Sequence, residues 1–531
     1  MFTIRKSKAA WALILLPALA TLILSGQPAR AQLIDQTQAP NAAGEGIALS
    51  LEQQIGAGRG DVDTPDSAIF LIKRDPARSV RRGRQLFQRK FQLGQGLGPR
   101  PGDGVGDIAN SAGLGAGVSD SCAGCHGRPR GSAGFGGDVA TRPDSRDAPH
   151  LFGLGLQEQL ADEITKDLRR IRARAIDEAR RLRRNVTFRL RSKGIDYGRI
   201  TARPDGRVFT SEVRGVDRDL RVRPFFAQGK TISMREFIVG AFQDEMGLQA
   251  FDPCLFEAAN GGRCVTPAGM VLDGSKDQIE APPLTSPNQD KDGDGVVNEI
   301  DPALVDHMEF YLLNYFKPGL DRQTFDTQVG FSILENIGCT SCHIRDLVID
   351  RDRRVADVET VYDPRRGNFN RLFATAMTLF FEEPDGNPLP KLLPKRRPFV
   401  VENIFTDFKR HDLGPNFHEL NYDGTFQTEF MTEPLWGVGS TAPYGHDGRS
   451  IHLRNVILRH GGEASFARNN FVALSDREER QLLAALNSLI LFPPDDTASN
   501  LNPGDRTHPD FPQIGHGSIN LGALFQTPGP E

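Results

Sequence analysis

Residues 119–131 read SDSCAGCHGRPRG. Two cysteines stand three positions apart, and a histidine follows the second at once. Residues 337–345, IGCTSCHIR, repeat the arrangement 217 residues further on. Each copy follows a predicted amphipathic helix: DPARSVRRGRQLFQRKF from Asp75, and TFDTQVGFSILENIG from Thr324. A c-type haem is held by two thioethers, so it needs two sulfurs a short turn apart and a histidine next to them to meet the iron. A zinc site wants four ligands together, but each of these pairs brings its own histidine and lies far from the other. A thioredoxin-like pair needs a βαβ setting, which is missing here. Cys122, Cys125 and His126, with Cys339, Cys342 and His343, therefore predict two covalently bound haem c groups.

The remaining axial ligands decide what such haems do. Two strong protein ligands make an electron carrier, whereas an open or displaceable position admits peroxide or dioxygen. The chain has eleven histidines, two of them already used. The candidates for a sixth position are His150, His411, His418, His446 and His460.

The N-terminus addresses the compartment. Arg5, Lys6 and Lys8 precede the apolar run AAWALILLPALATLIL, and Ala29-Arg30-Ala31 follows it. This is the pattern of a signal peptide cleaved after residue 31, leaving no membrane span and a periplasmic or secreted protein. Cleavage leaves 60 Lys and Arg against 68 Asp and Glu. That mild acidity argues against a nucleic-acid partner. The last two cysteines, Cys254 and Cys264, are expected to form a local disulfide in an oxidising compartment.

Length and pattern predict a mainly α protein with two haem domains, long irregular loops and a small β-hairpin insertion. Residues 32–75 read as an extended arm, 76–318 as the first haem domain, 319–492 as the second and 493–531 as a loose tail. Helices are expected at 157–185, 231–247, 303–316, 455–460 and 475–492, the last with Ser475 and Glu478 as a capping box. The 157–185 helix is rich in arginine, but interleaved Asp and Glu read as a solvated face. Pro204-Asp205-Gly206 marks the hairpin turn. Residues 346–400 read as irregular and charged.

DKDGDGVVNEID at 290–301 spaces oxygen ligands as a calcium loop does. The expected set is Asp290, Asp292, Asp294, the Val296 carbonyl, Asn298 and Asp301, with Gly295 at the turn. One calcium ion is expected there, in a structural role between the haem domains.

The two C-x-x-C-H units, with TEPLWGVGSTAPYGHDGRSIHLRNVILRHGGEA at 432–464, resemble the dihaem oxidoreductases related to bacterial dihaem cytochrome c peroxidases. SCAGCHGRPRGSAGFGG, APHLFGLGL and FKRHDLGP strengthen the likeness to the branch called dihaem peroxidases or thiol oxidoreductases, over about 76–492. The resemblance implies two cytochrome c-like domains. It also implies electrons from a small cytochrome or cupredoxin entering at the C-terminal haem, and hydrogen peroxide reduced at the N-terminal one. His460 stands where relatives place the distal ligand of the C-terminal haem, and His446 falls in a supporting loop. Glu245, in QDEMG, matches the distal catalytic glutamate, although the family's preceding Asn-Pro is absent; Glu158 and Glu163 are weaker candidates. His150 is a candidate removable ligand of the N-terminal haem, and Trp436 a candidate inter-haem residue. The competing readings are a dioxygenase of the rubber-cleaving type, a plain electron-transfer cytochrome and a protein-modifying enzyme. Relatives of the last kind carry tyrosine where His460 lies.

Overall fold

The computed structural model describes residues 50–98, 119–126, 147–314, 318–354, 358–363, 367–372, 377–382, 388–393, 398–421 and 424–491. The expected signal peptide, residues 32–49 of the arm and the tail lie outside these residues. No helix among them is long and apolar enough to cross a membrane.

The helices form where the apolar spacing and the caps coincide. Leu51–Ile55 (α1) and Ala68–Arg74 (α2) lie in the stretch expected to be an extended arm. The Ser50 and Ser67 side chains cap them by accepting from Gln53 N and Phe70 N, a local signal that composition alone obscures. Pro76–Gln88 (α3) begins at the Asp75 cap, with proline in its first turn. Cys122–His126 (α4) is one short turn. Leu154–Leu182 (α5) buries Leu156, Leu160, Ile164, Leu168, Ile171, Ala175 and Ala179 on one face. Met234–Met246 (α6), Pro253–Ala259 (α7) and Pro302–Asn314 (α8) complete the first half. The second half holds Phe325–Asn336 (α9), Leu453–Arg459 (α10), Ser465–Val472 (α11) and Asp476–Asn487 (α12). Ser475 and Glu478 form the expected capping box on α12.

Three apolar cores result. The first gathers α3, α6, α7 and α8 around Leu86, Phe242, Leu255, Leu304 and Phe310. The second packs α5 on a three-stranded antiparallel sheet of Val186–Ser192 (β1), Ile195–Ala202 (β2) and Val208–Phe209 (β3), and extends to Phe408 and Trp436. The turn around Pro204 joins β2 to β3 as the sequence indicates, while β1 was not expected. The third packs α9 on α12 with Phe405 and Leu453. Close helix approach in the first and third cores depends on glycine. A Cβ on Gly83 would lie 2.3 Å from His307 O, and one on Gly330 2.0 Å from Gln481 O.

The described residues of 346–400 include regular strands: Leu347–Ile349 pairs with Phe399–Val401, Val358–Asp363 with Gly367–Leu372 and Met377–Glu382 with Pro388–Leu393, all antiparallel. Cys254 and Cys264 are bridged, the local disulfide expected from the sequence.

A buried ion cluster braces the first core. Arg235 is fully enclosed and meets Asp252 at 2.6 Å, Asp306 at 2.8 Å and Glu309 at 2.7 Å. Asp252 and Glu309 accept hydrogen bonds from the guanidinium and Asp306 adds a third buried negative charge beside it, so loss of Arg235 would leave several buried charges uncompensated. The cluster fixes α6 against α8. The far end of α6 then holds the first motif: Ser119 N donates to Glu245 O at 3.3 Å, and Phe91 N to Asp120 O at 2.8 Å.

Candidate functional site

Both C-x-x-C-H units open onto one cavity of about 920 Å³, lined by Cys122, Cys125, His126, Cys339, Cys342 and His343. The four sulfurs stand unbridged. Burial pushes the Cys122 thiol up to about 12 and the Cys339 thiol up to about 11. Thiols held that far above neutrality are poor thiolate nucleophiles, so the redox-switch reading of these pairs loses its chemistry.

The two motif histidines and His460 are oriented by backbone carbonyls. His126 Nδ1 meets Pro149 O at 2.7 Å, and His343 Nδ1 meets Phe405 O at 3.0 Å. His460 Nδ1 meets Val456 O at 2.7 Å. A carbonyl can only accept, so each ring carries its proton on Nδ1. That leaves Nε2 as the basic nitrogen, the usual arrangement of a metal-binding histidine. Burial lowers His343 to about 4, helped by the nearby His460, and burial also lowers His460. Neutral imidazole is the form that binds iron. These residues therefore fit two haem c groups, with His460 on the side of the second.

His150 behaves differently. It lines the cavity close enough to His126 for that charge to help burial lower it to about 4. Both of its ring nitrogens, however, are engaged by backbone. Nε2 meets Trp436 O at 3.2 Å, and Nδ1 accepts from Phe152 N at 3.2 Å. In this arrangement His150 positions a loop and does not offer a ligand nitrogen.

The other candidates separate cleanly. Glu245 lies at the C-terminal end of α6 and lines the cavity beside the first motif. Glu158 is not among the cavity residues; it accepts from Met234 N at 2.8 Å and from Arg353. Glu163 takes Lys193 Nζ at 2.6 Å and two backbone amides. Both are structural. His446 is a supporting residue: its Nε2 meets Glu419 Oε1 at 3.0 Å, and its ring stacks on Phe430 at 4.1 Å. His418 is held by Asp412 at 2.8 Å. His411 sits between Asp407 and Glu463, each at 2.9 Å. Burial opposes its charge, but Asp407 and Cys342 push it up to about 11.

Two acids in the cavity escape sequence reasoning. Glu433 lines the cavity, and desolvation pushes it up to about 7. Asp147 also lines the cavity and rises to about 7 through burial and the neighbouring Asp447. Neither belongs to a spacing motif. The only signal was their place inside the TEPLW and RDAPH blocks.

In the acidic loop, Asp290, Asp292 and Asp294 bring ligand oxygens within 4.8 Å of one another. Asp294 Oδ2 is buried without a hydrogen-bond partner. Asn298 Oδ1 instead accepts from Phe251 N at 2.6 Å, and Asp301 Oδ1 accepts from Ala303 N at 2.8 Å, at the start of α8. Burial, then the charges of Asp292 and Asp294, push the Glu299 carboxyl up to about 7, and its Oε2 accepts from Gln249 N at 2.5 Å.

Residues 399–489 match the family model described as "Di-haem oxidoreductase, putative peroxidase". The C-terminal segment is therefore similar to dihaem oxidoreductases over these residues. It contains Phe405, Trp436, His446 and His460, and it ends before the described chain does. No curated protein matches the chain.

Proposed function

We propose that this chain is an exported dihaem c-type oxidoreductase that reduces hydrogen peroxide, with two cytochrome c-like domains and electrons entering at the Cys339–Cys342–His343 haem. The observation that carries this reading is the inequality of the two sites. His343 faces a carbonyl-oriented partner, His460, whereas His126 faces His150, whose nitrogens are both occupied. The first site is therefore the one with a coordination position to spare.

Haem iron, when bound, supplies the electrons and the position for peroxide. The chain supplies orientation and protons. Pro149 O fixes the His126 ring from behind. Glu245 takes the proton from the peroxide oxygen nearer the metal and returns it to the leaving oxygen, which departs as water. Glu433, raised to about 7, holds a second proton inside the same cavity at neutral pH. Trp436, buried between the two sites, is the candidate bridge for electrons. A small cytochrome or cupredoxin is the donor in this reading, and a calcium ion on Asp290, Asp292 and Asp294 stiffens the segment leading into α8.

Low-temperature EPR of the oxidised holoprotein tests this. One low-spin bis-histidine signal and one high-spin signal are expected, with peroxide turnover from a reduced cytochrome that falls about 100-fold or more in Glu245→Gln. Two bis-histidine signals that persist after partial reduction would leave only electron transfer. The wall near the first motif is aromatic, with Phe87, Phe225, Phe237 and Phe242. That wall favours a dioxygenase acting on an apolar alkene as the second reading. Oxygen uptake with such a substrate, in the absence of peroxide turnover, would select it.

A further inference from the structure

Charge is segregated in this molecule. The whole chain has a net charge of −4, yet residues 166–218 carry 17 Lys and Arg against 7 Asp and Glu. That surplus of ten leaves the remainder of the chain at −14. The basic segment comprises the C-terminal part of α5 and the β1–β2–β3 sheet packed on it. Fifteen of its 17 cations are arginines, whose planar fork suits phosphate oxygens.

Pairing absorbs only part of this charge. Arg170, Arg181, Arg189, Arg199 and Arg207 pair with acids of the segment itself, on the surface, where such pairs contribute little, and Arg169 and Lys193 pair with Asp277 and Glu163. Arg174, Arg180, Arg183, Arg184, Arg191 and Arg214 are exposed and make no ion pair among the described residues. Arg170, Arg174 and Arg181 recur at helical spacing opposite the buried Leu168–Ile171–Ala175 stripe, so they share one outward face, and Arg183 and Arg184 follow directly after the helix.

Position rules out a direct part in electron delivery. The N-terminal end of α5 meets the cavity at Leu154 and Gln157. At 1.5 Å per residue, Arg170 lies about 20 Å and Arg181 about 36 Å further along the axis. A donor docked on that row would not reach either site. The row is flanked by an exposed aromatic. Phe209 on β3 is 49 % exposed, and the Arg203 guanidinium lies 4.9 Å from its ring centroid. An aromatic ring among arginines suits the boundary between phosphate headgroups and acyl chains, because the ring can enter while the guanidinium stays at the phosphates.

We propose that the basic lobe formed by α5 and the β1–β3 sheet docks this protein onto an anionic phospholipid bilayer, with the −14 body carrying the cavity turned away. The charge complementarity is direct, and the two ends of α5 then have separate tasks: one borders the redox cavity and the other rests on lipid.

Vesicle co-sedimentation of the holoprotein tests this. Vesicles of phosphatidylcholine with phosphatidylglycerol should bind it at low salt and release it at high salt, and pure phosphatidylcholine vesicles should not bind it. A variant carrying R174Q, R181Q, R183Q and R184Q keeps good helix formers on an exposed face and should fold. Its partition coefficient should fall by at least about tenfold, with haem absorbance and peroxide turnover unchanged. Phe209→Ser, which removes no charge, should weaken binding severalfold and serves as an independent check should the quadruple variant fail to fold. Equal binding of these variants and the parent, or no binding to phosphatidylglycerol at low salt, would overturn the proposal. So would salt-sensitive self-association that accounts for all the pelleted protein without vesicles; the lobe would then face a second copy of this chain.

Discussion

Gly153 and Trp436 form the tightest contact between the two halves of the site, and their coupling can be worked out in advance. Gly153 caps α5 with φ +77°. A Cβ placed there would lie 2.5 Å from Cζ2 and 2.7 Å from Cη2 of Trp436, a side chain buried on all sides. Gly153→Ala therefore carries two costs: about 1–2 kcal/mol for a left-handed alanine, and about 1–3 kcal/mol for overpacking against a ring with no room to retreat. Trp436→Phe removes the atoms that clash. It also removes an indole N–H that is buried without a hydrogen-bond partner, which offsets part of the lost packing. In the double variant the clash is gone, and the backbone cost of the left-handed alanine and the net packing cost of Trp436→Phe remain, so the pair should couple by about 1–3 kcal/mol in a double-mutant cycle. Denaturant unfolding of the four holoproteins reads the coupling. The absorption of the first haem gives a second readout, because Trp436 O also anchors His150. Gly153→Ala should shift that spectrum, and the added Trp436→Phe should restore it. Stabilities that add within about 0.5 kcal/mol would show that the ring does not bear on Gly153 and that the two halves are not seated through this contact.

His460→Ala should convert the second haem from six-coordinate to a five-coordinate or water-bound form in its absorption and EPR spectra; an unchanged spectrum would remove His460 as a ligand. His307 is fully buried against Ser79, and burial, with Arg82 and Arg78 nearby, lowers it to about 3. The unfolded chain binds a proton below its ordinary value near 6.5 and the folded chain does not, so stability should fall by about 1.4 kcal/mol per pH unit on acidification through that window. His307→Asn should flatten that slope between pH 6 and pH 4 in denaturant titrations. Calcium at about 100 times its dissociation constant should stabilise the protein by about 2.7 kcal/mol. Asp292→Asn combined with Asp294→Asn should abolish the response in thermal melts.

The helices were legible because their signals are local. α3, α6, α9 and α12 each pair an apolar period with a cap within a few residues. The short helices α1 and α2 were missed because their one or two turns do not establish a period, and only Ser50 and Ser67 betray them. The strand pairs in 358–393 were missed because charged, proline-containing strands do not alternate in polarity. In the site, C-x-x-C-H was fully readable, since attachment chemistry demands that spacing. The environment of each histidine was not. Nothing local to APHLFG says that a carbonyl 286 residues away will occupy His150 Nε2. Likewise, nothing in TEPLW says that Glu433 lines the cavity. The calcium loop shows the same limit: the Asp spacing is real, but Phe251 and Ala303 claim the two later positions.

The 217 residues between the motifs also hide how directly the two sites are joined. From the first motif, His126 leans on Pro149 O at 2.7 Å. Two residues earlier, Asp147 N donates to His446 O at 2.8 Å. The Phe417 ring packs against the rings of both His446, at 6.0 Å, and His460, at 5.2 Å. A second strand runs in parallel. Asp447 is buried, yet Arg459, the neighbour of His460, binds it at 2.5 Å and holds it ionised below the usual carboxylate range. That fixed negative charge in turn helps keep Asp147 protonated near neutrality. Packed rings and short hydrogen bonds do not deform continuously. A displacement of His460 must therefore be accommodated by Phe417, Arg459 or the 444–448 loop, and each of these bears on the segment that orients His126. Two haems bound here would thus share not only a cavity but one supporting wall, and the ligand field at either iron would depend on how the other is held.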